Sequence, residues 1–266
     1  MKIIVIGGTG LIGSKIVKKL WASGCEAVAA SRSSGVDTMT GRGLADVLAS
    51  ASVVIDVSNS PTLDGAVSLE FFETSTRNLL SAEATAGVRH HVALSVVGAD
   101  RVSESGYMRA KFAQEKLIKK NSIPYSIVHA TQFFESIQKV AGLATYGATV
   151  RVPPVLVQPI ACDDVASVLC NLSVGAPLGG TIEVAGPEQF RLDTLVRRRL
   201  MARHDLREVV SDPRARFFGG EVDDSSLLPG SGARLAATRF EDWLARSMER
   251  AYATLRPPTP RMAESI

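Results

Sequence analysis

The chain has 266 residues, 45% of them hydrophobic and 21% charged, with a formal net charge of +3. That length and apolar content support one substantial core with an appended subdomain, and so small a net charge argues against nucleic acid or an anionic membrane as partner. Cys25, Cys162 and Cys170 have neither metal-ligand spacing nor an even count for disulfides. No apolar run approaches the roughly 18 residues of a bilayer span, and Met1 leads into a strand rather than a signal peptide, so the expectation is a soluble, reduced, cytoplasmic protein with no metal site.

The opening stretch, MKIIVIGGTGLIGSKIVKKL, begins with an apolar, β-branched run from Lys2 to Ile6 that reads as a buried parallel strand. Gly7, Gly8, Thr9 and Gly10 make a turn, and from Leu11 apolar residues recur at Ile12, Ile16 and Leu20 with helical spacing. Strand, glycine turn and helix in that order predict a dinucleotide site. Gly7 suits the tight turn, Gly10 the approach of backbone to a pyrophosphate, and Gly13 the packing of helix on strand. The helix's free N–H groups and positive dipole end then face the phosphates. The spacing is G-x-x-G-x-x-G, although Gly8 lets part of the tighter G-x-G-x-x-G pattern be read. Without a ligand, the same residues would be only a glycine-rich turn.

Residues 26–31 read as a second strand with Arg32 just beyond it, residues 43–48 as a short helix, and residues 52–58 as a buried strand. Residues 69–86 read as a helix, 91–97 as a strand, 107–120 as a helix and 124–130 as a fifth strand. Strands alternating with helices imply right-handed βαβ units and a parallel sheet covered on both faces. Beyond Thr131 the rhythm loosens. Prolines in residues 153–160 forbid a central strand except at its ends, Asp163 and Asp164 offer N-caps for a helix through Leu172, and residues 180–186 read as a strand returning to the sheet. Residues 192–203 form a basic helix, 239–253 a last helix with Phe240 and Trp243 inward, and the final twelve residues a frayed end. The expected fold is therefore α/β, a Rossmann-type doubly wound sheet. Residues 1–131 are its dinucleotide-binding core, with 157–186 returning to the sheet, and 132–156 and 187–266 form a small substrate-binding lid.

Ligands of such sheets bind beyond the carboxyl ends of the strands. After the first strand come Gly7, Thr9, Gly10, Leu11, Ile12 and Gly13; after the second come Ser31 and Arg32, with Ser33; after the third come Val57, Ser58 and Asn59, placed to line an adenine or ribose pocket. A guanidinium with hydroxyls and no acid beside it suits a 2′-phosphate, so NADP(H) is expected over NAD(H); otherwise Arg32 is a solvated surface residue. Asp56 reads as a satisfied strand-end residue. Tyr107 and Lys111, four apart, share a helix face. An ammonium beside a phenol lowers its pKa and makes it a better proton donor to a carbonyl oxygen, and the same lysine can hold a ribose. His90 and His91 precede a strand with diverging side chains, and Arg197, Arg198 and Arg199 form a solvated helix face.

Over residues 1–186 the sequence resembles the short-chain dehydrogenase/reductase superfamily, and within it the atypical, NmrA-like branch. The resemblance is carried by GGTGLIG, TRNLLSA (residues 76–82), ALSVVG before GYMRAK, and QPIACDDVA (residues 158–166). It implies that Tyr107 is a proton donor, Lys111 a cofactor-binding lysine, and a serine on the preceding strand the group that polarises the substrate carbonyl. One register puts that hydroxyl on Ser95, twelve residues before Tyr107; another places Val97 there and leaves none. His129, Ala130, Thr131 and Gln132 replace the superfamily's proline-glycine turn. His129 is a candidate for the nicotinamide end, and Phe133 and Phe134 are packing residues with one a candidate pocket wall.

The implied function is an NADP(H)-dependent oxidoreductase reducing a small carbonyl or quinone-like substrate. The alternative is a non-catalytic NADP(H)-binding redox sensor, as NmrA-like relatives are; a third option is a scaffold binding cofactor for stability alone. Residues 69–86 and 107–120 are candidates to pair a homodimer, by analogy with relatives.

Overall fold

The computed structural model describes the backbone of residues 1–255 and side chains up to residue 249. In chain order the elements are β1 (Lys2–Ile6), α1 (Gly13–Ala22), β2 (Glu26–Ala30), α2 (Leu44–Leu48), β3 (Val53–Asp56), α3 (Gly65–Ala86), β4 (His90–Val96), α4 (Gly106–Lys120) and β5 (Tyr125–Ala130). Then come α5 (Ile137–Leu143), β6 (Thr145–Tyr146), β7 (Thr149–Val152), β8 (Leu156–Val157), α6 (Cys162–Val174), β9 (Gly180–Ala185), β10 (Phe190–Arg191), α7 (Leu192–Ala202), β11 (Glu208–Ser211), β12 (Arg234–Leu235) and α8 (Phe240–Leu255).

Seven strands form one sheet in the order β12-β9-β5-β4-β3-β1-β2, and every pairing in it is parallel. This is the expected doubly wound α/β fold. The chain runs from β1 outward to β2, then returns to place β3 on the other side of β1. Between β1 and β3 lies the switch point, where the strand ends open a crevice.

Alternation along β1 sets the two core layers. Ile3 and Val5 pack with Ile16 and Leu20 of α1 and Val165 and Leu169 of α6, whereas Ile4 and Ile6 pack with Leu44 and Leu48 of α2 and Leu79 of α3. A separate apolar cluster holds the C-terminal part together, with Phe134, Val150, Leu195, Phe240 and Trp243 at its centre. That part is not wholly outside the sheet, because β12 extends the edge beside β9.

Several local expectations are corrected. α3 begins at Gly65 rather than near Leu69, since Asp64 Oδ1 accepts from the N–H groups of Ala66 and Val67 at 3.0 Å each. Asp163 and Asp164 lie inside the first turn of α6 instead of capping it. Glu135 takes the capping role, accepting from Cys162 N at 3.1 Å, which leaves Asp163 to pair with Lys15 at 2.8 Å. Both His90 and His91 belong to β4. They point to opposite faces, His90 to Ser126 Oγ at 2.9 Å and His91 to Glu83 at 2.9 Å. Of the three arginines read as a solvated face, Arg199 is buried and its guanidinium lies 5.0 Å from the Trp243 ring. The final residues read as frayed fall, from 256 on, outside the described part. Among the described residues no helix is long and apolar enough to cross a membrane.

Candidate active site

A short loop and an uncapped helix build the first wall of the site. α1 starts at Gly13 with Ile12 at its N-cap position and no side-chain hydrogen bond closing it. The N–H groups of Ser14 and Lys15 donate to Gly10 O and Ile12 O at 3.0 Å each, which leaves those of Leu11, Ile12 and Gly13 available to an anion. A Cβ on Gly13 would collide with the Gly7 carbonyl oxygen and the Gly8 backbone, and Gly7 itself has φ +77°. The glycines make a backbone cradle that any side chain would fill, and such a cradle at an open helix end fits a pyrophosphate.

A cleft of about 530 Å³ runs from this cradle along the carboxyl ends of β3, β4 and β5. Gly7, Thr9, Gly10, Leu11, Ile12 and Gly13 line one end, followed by Val57, Ser58 and Asn59, then Ser95, Tyr107 and Lys111. Residues far apart in the chain thus meet on one surface. Ser31 and Arg32 stand outside that wall. Ser31 reaches it through Thr9, whose Oγ1 donates to Ser31 Oγ at 3.0 Å. Arg32 is largely exposed, with its Nε 3.3 Å from Asp37 Oδ2. The absence of an acid beside Arg32 is thereby corrected: the turn at Arg32–Ser34 brings Asp37 round to it.

The Tyr107 hydroxyl donates to Asn59 Oδ1 at 3.0 Å, and its ring meets Phe72 and Phe218 edge-on at 6.1 and 6.0 Å between centroids. Burial pushes the phenol up to about 12, only partly opposed by the Asn59 hydrogen bond. The expected lowering by Lys111 is not what the packing produces. Lys111 is buried, donates to Leu94 O at 2.8 Å and to Gln114 Oε1, and lies 4.5 Å from the centroid of Phe72. Desolvation brings its ammonium down to about 8, while Asp56 and Glu115 act in the opposite direction. Gln114 Nε2 in turn donates to Asp56 Oδ2 at 3.0 Å, and Asp56 Oδ1 accepts from Ser58 N at 2.9 Å. Asp56 is therefore a satisfied strand-end residue that links the lysine to the loop after β3.

Ser95 lines the cleft, but its hydroxyl donates to Glu115 Oε1 at 2.6 Å. Val97, the residue of the other register, is fully buried in the core. Glu115 also meets His129 Nε2 at 2.8 Å and Lys119 Nζ at 3.0 Å. Burial raises its pKa, yet the hydrogen bonds from His129, Ser95 and Lys119 outweigh that and hold it at about 2. His129 is thus committed to a carboxylate away from the cleft wall. Phe133 lines the cleft, whereas Phe134 is fully buried.

Sequence reasoning missed part of the wall. Gln132, Ser136 and Lys139 line the cleft after β5, and Phe217 and Phe218 close its far end. Gln114 could have been found, since a residue three after Lys111 shares its helix face. Nothing in the pattern around Phe217 and Phe218 announces their position, because they lie in a loop without periodicity.

Residues 7–173 match the family described as NAD(P)H-binding. The chain belongs to that NAD(P)H-binding family. Its fold is shared by solved structures of a nucleotide-sugar epimerase and a reductase. It is similar to MoeE5 in complex with UDP-glucose and NAD, with a TM-score of 0.74, 17% identity, and coverage of 96% of this chain and 100% of that one. UDP-glucose 4-epimerase of Thermotoga maritima with UDP-glucose matches with a TM-score of 0.75, 15% identity, and 96% and 100% coverage. A dTDP-4-dehydrorhamnose reductase of Clostridium acetobutylicum matches with a TM-score of 0.69, 15% identity, and the same two coverages of 96% and 100%. No curated protein matches the chain.

Proposed function

We propose that this NAD(P)H-binding protein is an NADP(H)-dependent oxidoreductase of the atypical, NmrA-like type that reduces a carbonyl or quinone-like substrate. The observation that carries the reading is the presence of Tyr107 and Lys111 on the wall of the same cleft as the glycine cradle. When bound, the reduced nicotinamide supplies a hydride to the carbonyl carbon. Tyr107, neutral across the physiological range, holds a proton at its hydroxyl and releases it to the carbonyl oxygen; solvent returns it after turnover. Lys111 supplies positive charge next to the ribose position, and Asn59 orients the phenol through their hydrogen bond. Ser95 enters as a wall residue whose proton is committed to Glu115. For it to polarise the carbonyl, as the superfamily resemblance implies, that bond would have to open. Residues 132–156 and the described part of 187–266 act as the substrate lid.

Arg32 is assigned to the 2′-phosphate, its guanidinium exchanging Asp37 for the phosphate oxygens. Arg32→Ala should weaken NADPH binding about tenfold or more and leave NADH nearly unaffected. Tyr107→Phe should reduce turnover by about a hundredfold or more while the NADPH dissociation constant stays within about twofold of wild type; undiminished turnover would sink the assignment. Because two of the similar structures hold UDP-glucose, nucleotide sugars belong in the substrate screen beside simple ketones, aldehydes and quinones.

The alternative, a non-catalytic NADP(H) sensor, is favoured by one observation: the Ser95 hydroxyl is bound to Glu115 instead of lying free over the cleft. NADPH binding without oxidation by any carbonyl or quinone, together with a cofactor-dependent change in protease sensitivity, would select it. Both readings carry a cytoplasmic location and pairing of two copies through α3 and α4, the latter checked by sedimentation.

A further inference from the structure

Beyond Phe218 the cofactor cleft opens into a second one of about 660 Å³. The two share Leu63, Val140, Phe217 and Phe218, so they are continuous at the end where Tyr107 stands. The second cleft is apolar on its floor and cationic on its rim. Arg151, Arg214 and Arg216 line it against a single carboxylate, Asp212, among the described residues. Arg216 is occupied by Glu221 at 2.9 Å and Glu104 at 3.5 Å. Arg151 is 3.7 Å from Asp212, beyond a direct hydrogen bond, and the Arg214 side chain has no carboxylate partner among the described residues. Arg214 is therefore available to an oxyanion outright, and Arg151 by exchanging its ion pair with Asp212 for it, each able to grip through paired N–H donors.

The junction carries an independent sign of function. Phe218 has φ +48° and Gly219 φ +82°, and Phe217 and Gly220 exchange both backbone hydrogen bonds at 2.9 and 3.0 Å. These features define a tight hairpin turn with two left-handed central residues, the kind that favours Asn-Gly. A phenylalanine at its first central position is a conformational outlier, and such outliers gather at functional sites. The turn is pinned to the start of α4, because Ser105 Oγ donates to Phe218 O at 2.8 Å. The result is an aromatic ring held edge-on to Tyr107 at 6.0 Å and against Phe217 at 4.3 Å, at the mouth between the two clefts.

We propose that the second cleft is the substrate's half-site and takes a planar, apolar carbonyl compound bearing an oxyanion. Phe218 is the wall beside the reacting end, and Arg214 with Arg151 is the partner of the carboxylate or phosphate. This rests on the oxidoreductase reading only for the placement of the carbonyl at Tyr107.

The test is binding to the NADPH-loaded protein, measured by calorimetry, of 4-formylbiphenyl, its 4′-carboxylate and its 4′-phosphonate. Both anions should bind about tenfold or more tightly than the neutral parent. The tighter of the two identifies whether the natural oxyanion is carboxylate or phosphate. Arg214→Ala should remove most of that preference without altering NADPH affinity. Phe218→Asn, which suits the turn, should raise the melting temperature yet weaken all three probes severalfold. Equal binding of charged and neutral probes, no binding of any, or a preference that survives replacement of both Arg214 and Arg151 by alanine would overturn the proposal. The anion preference without NADPH oxidation would leave the half-site standing and count against the oxidoreductase reading. Oxidation by the neutral aldehyde without the preference would do the reverse.

Discussion

Ser95 and Glu115 are joined at 2.6 Å across the interface of β4 and α4, and both side chains are buried. A carboxylate in such a place needs its donors, because an unmet oxygen retains the full cost of leaving water. The serine hydroxyl, His129 and Lys119 supply them.

Ser95→Ala should accordingly act first on stability. The loss of one hydrogen bond to a buried charge is expected to cost about 1.5–3 kcal/mol, read from the urea midpoint at unchanged slope. Turnover in the same variant should fall far less than in Tyr107→Phe. A stable Ser95→Ala protein with turnover as low as Tyr107→Phe would instead show the hydroxyl leaving Glu115 for the substrate.

Acid should weaken the fold in two separable windows. His90, driven down from 6.5 to about 4 by burial and its neighbour His91, gains a proton in the unfolded chain before it does in the native one. Its share of stability is therefore lost as pH falls from 6.5 towards 4. Glu115 is held from 4.5 down to about 2, so its share is full above 4.5 and is lost as pH falls towards 2. Urea midpoints against pH should flatten in the upper window for His90→Gln and in the lower one for Glu115→Gln.

Gln114 bridges Lys111 and Asp56, and Gln114→Leu removes the ammonium's acceptor. The buried lysine should then lose its proton at a pH below about 8, and any alkaline fall in NADPH affinity should move to lower pH. Asp56→Asn should shift it the same way, because it removes a charge that favours the ammonium. In the wild type, the unfolded chain holds this proton up to 10.5 while the native one releases it near 8. The destabilisation caused by burying the charge therefore fades as pH rises through that interval.

Two glycines should respond to alanine with opposite signs. At Gly13 a methyl group meets the Gly7 carbonyl and Gly8 backbone, so the cradle must spread; NADPH binding should be lost and thermal stability should fall. Gly142 lies in α5 with open space where a Cβ would be. Gly142→Ala should stabilise by about 0.5–1 kcal/mol, measured by denaturant unfolding, with cofactor affinity intact.

The sheet was legible because β1, β3, β4 and β5 are short apolar runs between helices of regular period, and such runs have few alternatives to a buried parallel strand. The same property hid the direction of Ser95. A strand apolar on both faces does not say which face a given residue takes, and Ser95 lies with Ala93 on the side of α3 and α4, where Glu115 waits. Arg199 was misread for a related reason: its neighbours in sequence are solvated arginines, but the ring of Trp243 that covers it arrives from α8.

By itself, the sequence determined the glycine turn, the strand that feeds it, the helix that follows, and the common face of Tyr107 and Lys111. All of these depend on residues within two turns of one another. Tertiary structure alone decided the rest: that Lys111 is stripped of water beneath Phe72 and tied to Asp56, and that Phe218 returns from more than a hundred residues away to stand beside Tyr107. Proton affinities in the site follow from that packing, because desolvation and the nearest partner act over a few ångströms of space irrespective of distance along the chain.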